Sequence, residues 1–181
     1  MNEYSFIRRQ EGFVVSTYPP PWLAHYEEAV PHTLDYPHVS VYSLLEQSAK
    51  DFPQATALHF LGKSLSYREL YRETRTFARV LQSVGVAKGD RVAIMLPNCP
   101  QCVIAYYAVL SIGAVVVQTN PMYMQRELEH QLSDSMANVI ICLDLLYRKV
   151  AAVQENTQIQ HVIVTGIQDY LPFPKNILYP L

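Results

Sequence analysis

The chain has 181 residues, 50% of them hydrophobic and 17% charged, a balance that supports a buried core and excludes disorder, collagen and coiled coil. Its net charge of -2 supplies no overall electrostatic footprint for nucleic acid. The six glycines, Gly12, Gly62, Gly85, Gly89, Gly113 and Gly166, form neither G-x-G-x-x-G nor G-x-x-x-x-G-K-[ST], so these two phosphate cradles are absent from the sequence.

The amino-terminal residues MNEYSFIRRQEG lack the apolar run of a secretory signal, and the three cysteines, Cys99, Cys102 and Cys142, are too few for a disulfide framework. Both features predict a cytoplasmic address. Residues 1–40 read as an irregular arm lying on a neighbour, with Pro19, Pro20 and Pro21 before Trp22, then Pro31 and Pro37. Residues 41–181 read as an α/β domain. Val41, Leu44, Leu45 and Ala49 recur at helical spacing until Phe52-Pro53 stops the pattern. Thr56 to Phe60 and Lys63 to Ser66 flank Gly62 as a hairpin.

Ser66, with Glu69 three residues on, predicts a capping box that opens the next helix. Leu70, Thr74, Phe77, Ala78 and Leu81 share its inner face, and Gly85 marks its end. Arg68, Arg72, Arg75 and Arg79 line another face, where Glu69 and Glu73 predict ion pairing in solvent.

Strand and helix then alternate: a strand at Arg91 to Leu96, a helix at Pro100 to Ile112, a turn at Gly113 and a strand at Ala114 to Val117. A helix near Gln125 to Ser135, a strand at Val139 to Leu143, a helix near Leu145 to Glu155 and a strand at His161 to Thr165 follow. The alternation predicts a mainly parallel sheet of right-handed units with helices on both faces. Val92 to Gln125 contains no Asp, Glu, Lys or Arg, which places strand, helix and strand in consecutive central layers or sets part of the helix against another surface. The longest apolar stretch, Cys102 to Val117, is shorter than the ~20 residues that span a bilayer.

Cys99-Pro100-Gln101-Cys102 has the C-P-x-C form that, at a helix start, lowers a thiol pKa for redox exchange. The leader Leu96-Pro97-Asn98 and the order of elements differ from a thioredoxin-like unit. Cys142 alone cannot complete a zinc site with this pair. The histidines His25, His32, His38, His59, His130 and His161 form no ligand cluster, and no G-x-S-x-G elbow is present. Two readings therefore stand from these features: a thiol oxidoreductase using Cys99 and Cys102, and a freestanding interaction module using the uncharged helix and the arginine face.

Three segments in order, Leu65 to Leu70 (LSYREL), Gly85 to Asn98 (GVAKGDRVAIMLPN) and Leu110 to Pro121 (LSIGAVVVQTNP), resemble early motifs of the AMP-forming acyl-CoA synthetases of the adenylate-forming superfamily. Tyr123 to Asp144 and the tail Leu171 to Pro180 resemble the bacterial long-chain fatty-acid CoA ligases in particular. The resemblance runs from about Trp22 to the last residue. It implies the first part of a large N-terminal α/β domain in an enzyme that uses ATP and Mg to convert a fatty acid and coenzyme A to acyl-CoA, AMP and pyrophosphate. The family's phosphate loop, ribose-binding Asp, magnesium-binding Glu and mobile lysine all follow the matched region. No position here inherits a catalytic, cofactor-binding or metal role, and the segment alone is expected to be inactive.

The partners implied are the rest of the parent chain, a fatty acid and coenzyme A, without nucleic acid. Peripheral contact with the inner face of the membrane and homo-oligomerisation stay open. Three positions depart from the family pattern. Met124 replaces a helix-opening Thr or Ser and costs a capping box, Met136 stands where Gly suits a left-handed turn, and Cys102 replaces an aromatic residue.

Overall fold

The computed structural model describes residues 20–179, and the chain divides into two compact units, Met1–His38 and Val39–Leu181. Residues 1–19 of the expected arm lie outside the described residues. The described part of the first unit holds one 3-10 turn, Pro21–His25, with no buried residue, and the rings of Tyr26 and His32 meet edge to face at 6.0 Å.

The second unit begins with helix α1, Val41–Asp51, which Ser40 caps by accepting the Ser43 amide. Strands β1, Thr56–Phe60, and β2, Lys63–Ser66, form the expected antiparallel hairpin. Its turn places Leu61 and Gly62 at φ 48° and 99°, the left-handed region where only glycine is free of a Cβ penalty. Helix α2, Tyr67–Ser83, opens on the predicted box: Ser66 Oγ accepts the Glu69 amide at 3.3 Å, and Glu69 Oε2 accepts the Ser66 amide at 2.8 Å.

The remaining strands and helices are β3, Arg91–Met95; α3, Pro100–Ile112; β4, Val115–Gln118; α4, Gln125–Ser135; β5, Val139–Leu143; α5, Tyr147–Gln154; and β6, His161–Thr165. A single 3-10 turn, Asp144–Leu146, precedes α5, so the helix expected near Leu145 to Glu155 begins two residues later. A 3-10 turn, Ile167–Tyr170, and the short helix α6, Lys175–Leu178, follow β6.

The four later strands form one wholly parallel sheet in the order β4-β3-β5-β6. Alternation along the two central strands sorts the core into two layers. Val92 and Ile94 of β3, with Val139 and Ile141 of β5, pack beneath Leu81 of α2 and Ala105, Ala108 and Val109 of α3. Ala93 and Met95, with Ile140 and Cys142, pack against Leu128 and Leu132 of α4 and Val150 and Val153 of α5. With α3 on one face for the step from β3 to β4, and α4 and α5 on the other for the return, all three crossovers share one hand, as the right-handed rule for parallel units requires. Leu45, Leu70 and Ile104 join α1, α2 and α3 in a third cluster above the first layer.

The charge-free span resolves along its length. β3 is central and wholly covered from Val92 to Met95, and α3 packs beside α2 on one face of the sheet while also meeting α1 and α2 in the third cluster. β4 departs from the expected central layer: it is an edge strand of the described sheet, with Val115 48% exposed. Full burial on both faces holds for β5 and fails for β6, whose His161 and Val164 are exposed.

Candidate functional site

In this doubly wound order the chain reverses direction between β3 and β5, and the carboxyl ends of such strands border the crevice where open α/β sheets take ligands. Three loops meet that end. The loop after β3 carries exposed Pro97 and Asn98, then buried Leu96 and Cys99 on either side of them. The loop after β5 begins with exposed Asp144, whose Oδ1 accepts the Leu145 amide at 2.8 Å.

The loop after β4 begins with buried Thr119, whose amide donates to Ile94 O at 3.0 Å, and turns at Asn120, whose Oδ1 accepts the Met122 amide at 2.9 Å. Lys149 of α5 braces it from behind: its Nζ donates to Tyr123 O at 2.7 Å and to Pro121 O at 3.3 Å. Met122 and Met124 are left pointing to solvent, 81% and 70% exposed. The rim therefore offers amide and carboxylate groups from Asn98, Asn120 and Asp144 beside exposed apolar side chains.

The cysteine pair sits at this end but lacks the electrostatics of a redox site. Cys99 is the N-cap of α3, buried, with Pro100 in the first turn. Burial pushes its thiol up more strongly than the Cys102 and Gln101 amides pull it down. The Cys102 thiol is also pushed up, by burial first and then by Cys99, and burial carries Cys142 to about 11. The oxidoreductase reading required a thiol depressed toward thiolate at neutral pH, so it is corrected here on desolvation.

Among the described residues no group of three or more His, Cys, Asp and Glu side chains converges on a metal position. His25, His32, His38, His59, His130 and His161 are all exposed, and His59 meets Ser64 Oγ at 2.9 Å within the hairpin.

The arginine face also differs from expectation. One ion pair is present among the described residues, Arg72 to Glu73 at 3.1 Å, while Glu69 Oε2 accepts from the Ser66 amide and hydroxyl. Sequence reasoning missed two polar features of the interior. A cavity of about 250 Å³ lies between α2, the start of α3 and β6. Gln101 lines it, donating from Nε2 to Gly166 O at 2.7 Å and leaving Oε1 without a partner. Thr74 Oγ1, fully buried in α2, has none either. The Ser/Thr spacing carried no sign of either, because helical periodicity places Thr74 with the apolar residues.

The fold and the loops at its carboxyl edge define a doubly wound α/β protein. The chain matches the AMP-binding enzyme family over residues 45–180 and belongs to that family. It is 50% identical over 161 residues to a long-chain-fatty-acid–CoA ligase of Bacillus subtilis, a match covering 89% of this chain and 29% of that protein. A crystal structure of a long-chain-fatty-acid–CoA ligase from Archaeoglobus fulgidus superimposes with a TM-score of 0.68 at 28% identity, over 76% of this chain and 30% of that one. The inhibitor-bound N-terminal domain of FACL13 from Mycobacterium tuberculosis gives 0.65 at 25% identity, over 70% and 33%. The chain thus spans less than a third of the length of the curated relatives it matches.

Proposed function

We propose that this chain is the first part of the large domain of a long-chain fatty-acid CoA ligase. In the parent reaction a fatty carboxylate oxygen attacks the α-phosphorus of ATP and pyrophosphate leaves. The coenzyme A thiol, losing its proton, then attacks the acyl carbonyl and AMP departs. Identity of 50% to the Bacillus subtilis ligase carries this reading and favours it over a freestanding interaction module.

This segment contributes the parallel sheet, its two helical layers and the loops after β3, β4 and β5. Lys149 holds the β4 loop in place through two carbonyls, and Thr119 ties that loop to the end of β3. The rest of the parent chain is accordingly the segment's principal partner, and fatty acid and coenzyme A are the parent's substrates. Purified alone with ATP, magnesium and palmitate, the chain should release no pyrophosphate; release above a no-protein blank would overturn the inactivity of the segment.

A further inference from the structure

We propose that the cavity between α2, the start of α3 and β6 is a binding site for a small neutral aromatic molecule carrying one N–H or O–H donor. The cavity measures about 250 Å³. A cavity of roughly 150 Å³ walled by aliphatic and aromatic side chains already takes up benzene, so this one holds a single ring or a fused pair. Phe77 of α2, Ile104 of α3, Ile141 of β5 and Ile163 of β6 line it and offer a flat ring apolar contact.

One polar atom sets the chemistry of the ligand. Gln101 is 7% exposed, and its Nε2 is committed to Gly166 O at 2.7 Å. Its Oε1 has no partner and can only accept, so the molecule that completes the site brings a donor. Burying such an acceptor unpaired costs more than a typical hydrogen bond returns, and a donor seated with its ring against the apolar walls relieves that cost.

The same surroundings select for neutrality. Burial first, then the Glu73 and Asp169 carboxylates, push the lining Tyr170 hydroxyl up to about 12, so it stays protonated at neutral pH in a wall that disfavours charge. Glu73 also lines the cavity and repels a carboxylate, while Arg72, paired with it at 3.1 Å, offsets its pull on a cation. Among the lining residues Val80 and Val164 are 43% and 45% exposed, which opens the cavity to solvent and lets a ligand enter the folded chain. The lining includes none of Asn98, Asn120 and Asp144 of the loop rim, so this inference is independent of the ligase reading.

The test is titration of the isotope-labelled chain with indole, whose N–H is its one donor, and with benzofuran, the same ring pair with oxygen in that place, followed by amide NMR. Indole is expected to shift the Gln101 side-chain amide and the Gly166 and Ile163 backbone amides saturably, with a Kd below about 1 mM. Benzofuran should bind about tenfold more weakly for want of the donor. Gln101→Met, similar in length without the amide, should lower indole affinity about tenfold and leave that of benzofuran within about twofold. Thr76→Trp, at an exposed position of α2 on the cavity lining, should fill the mouth and weaken both ligands by more than about tenfold; Trp is close to Thr in helix propensity, so this variant decides the matter if Gln101→Met fails to fold. Absence of saturable indole binding, equal affinity for indole and benzofuran, or indole binding unchanged in Thr76→Trp would overturn the proposal. Shifts at these amides that follow chain concentration without ligand would put a second copy of the chain in the cavity and overturn it as well.

Discussion

Met136 closes α4 at φ 51° and ψ 37°, in the left-handed region, with its amide donating to Ser133 O at 3.2 Å. A left-handed conformation costs an L-residue about 1–2 kcal/mol through the clash of Cβ with the backbone. Met136→Gly removes that clash but loosens the unfolded chain, which returns roughly 0.5–1 kcal/mol. The side chain is 54% exposed, so little buried apolar area is lost, and the Arg91 Nε contact at 3.4 Å uses the Met136 carbonyl, which glycine retains. The net expectation is a gain of about 0.5–1 kcal/mol, or a rise in Tm of about 1–4 °C for a domain of this size. Thermal unfolding followed by circular dichroism measures it, with Met136→Ala as the control that removes the side chain and keeps the strain. Destabilisation by glycine, or equal melting of the Gly and Ala variants, would refute the claim that the backbone is strained here.

Thr74→Val should stabilise the fold by about 1 kcal/mol, because it removes a fully buried hydroxyl that makes no hydrogen bond, and chemical denaturation would show a higher midpoint. Glu69 is held below the usual carboxylate range, first by the Ser66 amide and then by the Ser66 hydroxyl. Its lowered folded-state value means the box adds stability at neutral pH and loses it as pH falls below about 4.5, so the stability gap between the wild-type chain and Glu69→Gln should close in acid. A gap independent of pH would contradict the carboxylate's role. Cys99 and Cys142, buried and pushed up by desolvation, should alkylate at neutral pH far more slowly than in the unfolded chain; rapid modification of native Cys99 would revive the redox reading.

Local rules read this fold well wherever one residue's chemistry decides the outcome. The Ser66–Glu69 box, the helix stop at Gly85 and the hairpin about Gly62 were legible as spacing and residue type, and the left-handed Met136 through the family resemblance alone. At Met124 the rule was half right: the side chain makes no cap bond, yet Glu127 Oε2 still accepts the Met124 amide at 2.8 Å, so one of the two bonds survives.

Position within the sheet was not legible. Val115, Val116 and Val117 look as apolar as Val139, Ile140 and Ile141, yet the first set lies on an edge and the second at the centre, because strand order depends on contacts far apart in sequence. The arginine face was read correctly at Glu73, which pairs with Arg72, and not at Glu69. Interleaved Glu69 suggested pairing, but its carboxylate is captured by the nearer Ser66 amide and hydroxyl. The orphaned Gln101 Oε1 and Thr74 Oγ1 depend on three-dimensional neighbours that no spacing encodes.

The central claim is that these residues do the work of the matching segment in a long-chain fatty-acid CoA ligase. Its most direct test is a chimera in which this chain replaces the corresponding segment of the 50%-identical Bacillus subtilis ligase, assayed for palmitoyl-CoA and AMP formation from palmitate, ATP and coenzyme A. The account predicts palmitate-dependent formation of both products by the chimera and none by the chain alone. A folded chimera that forms neither product would contradict it.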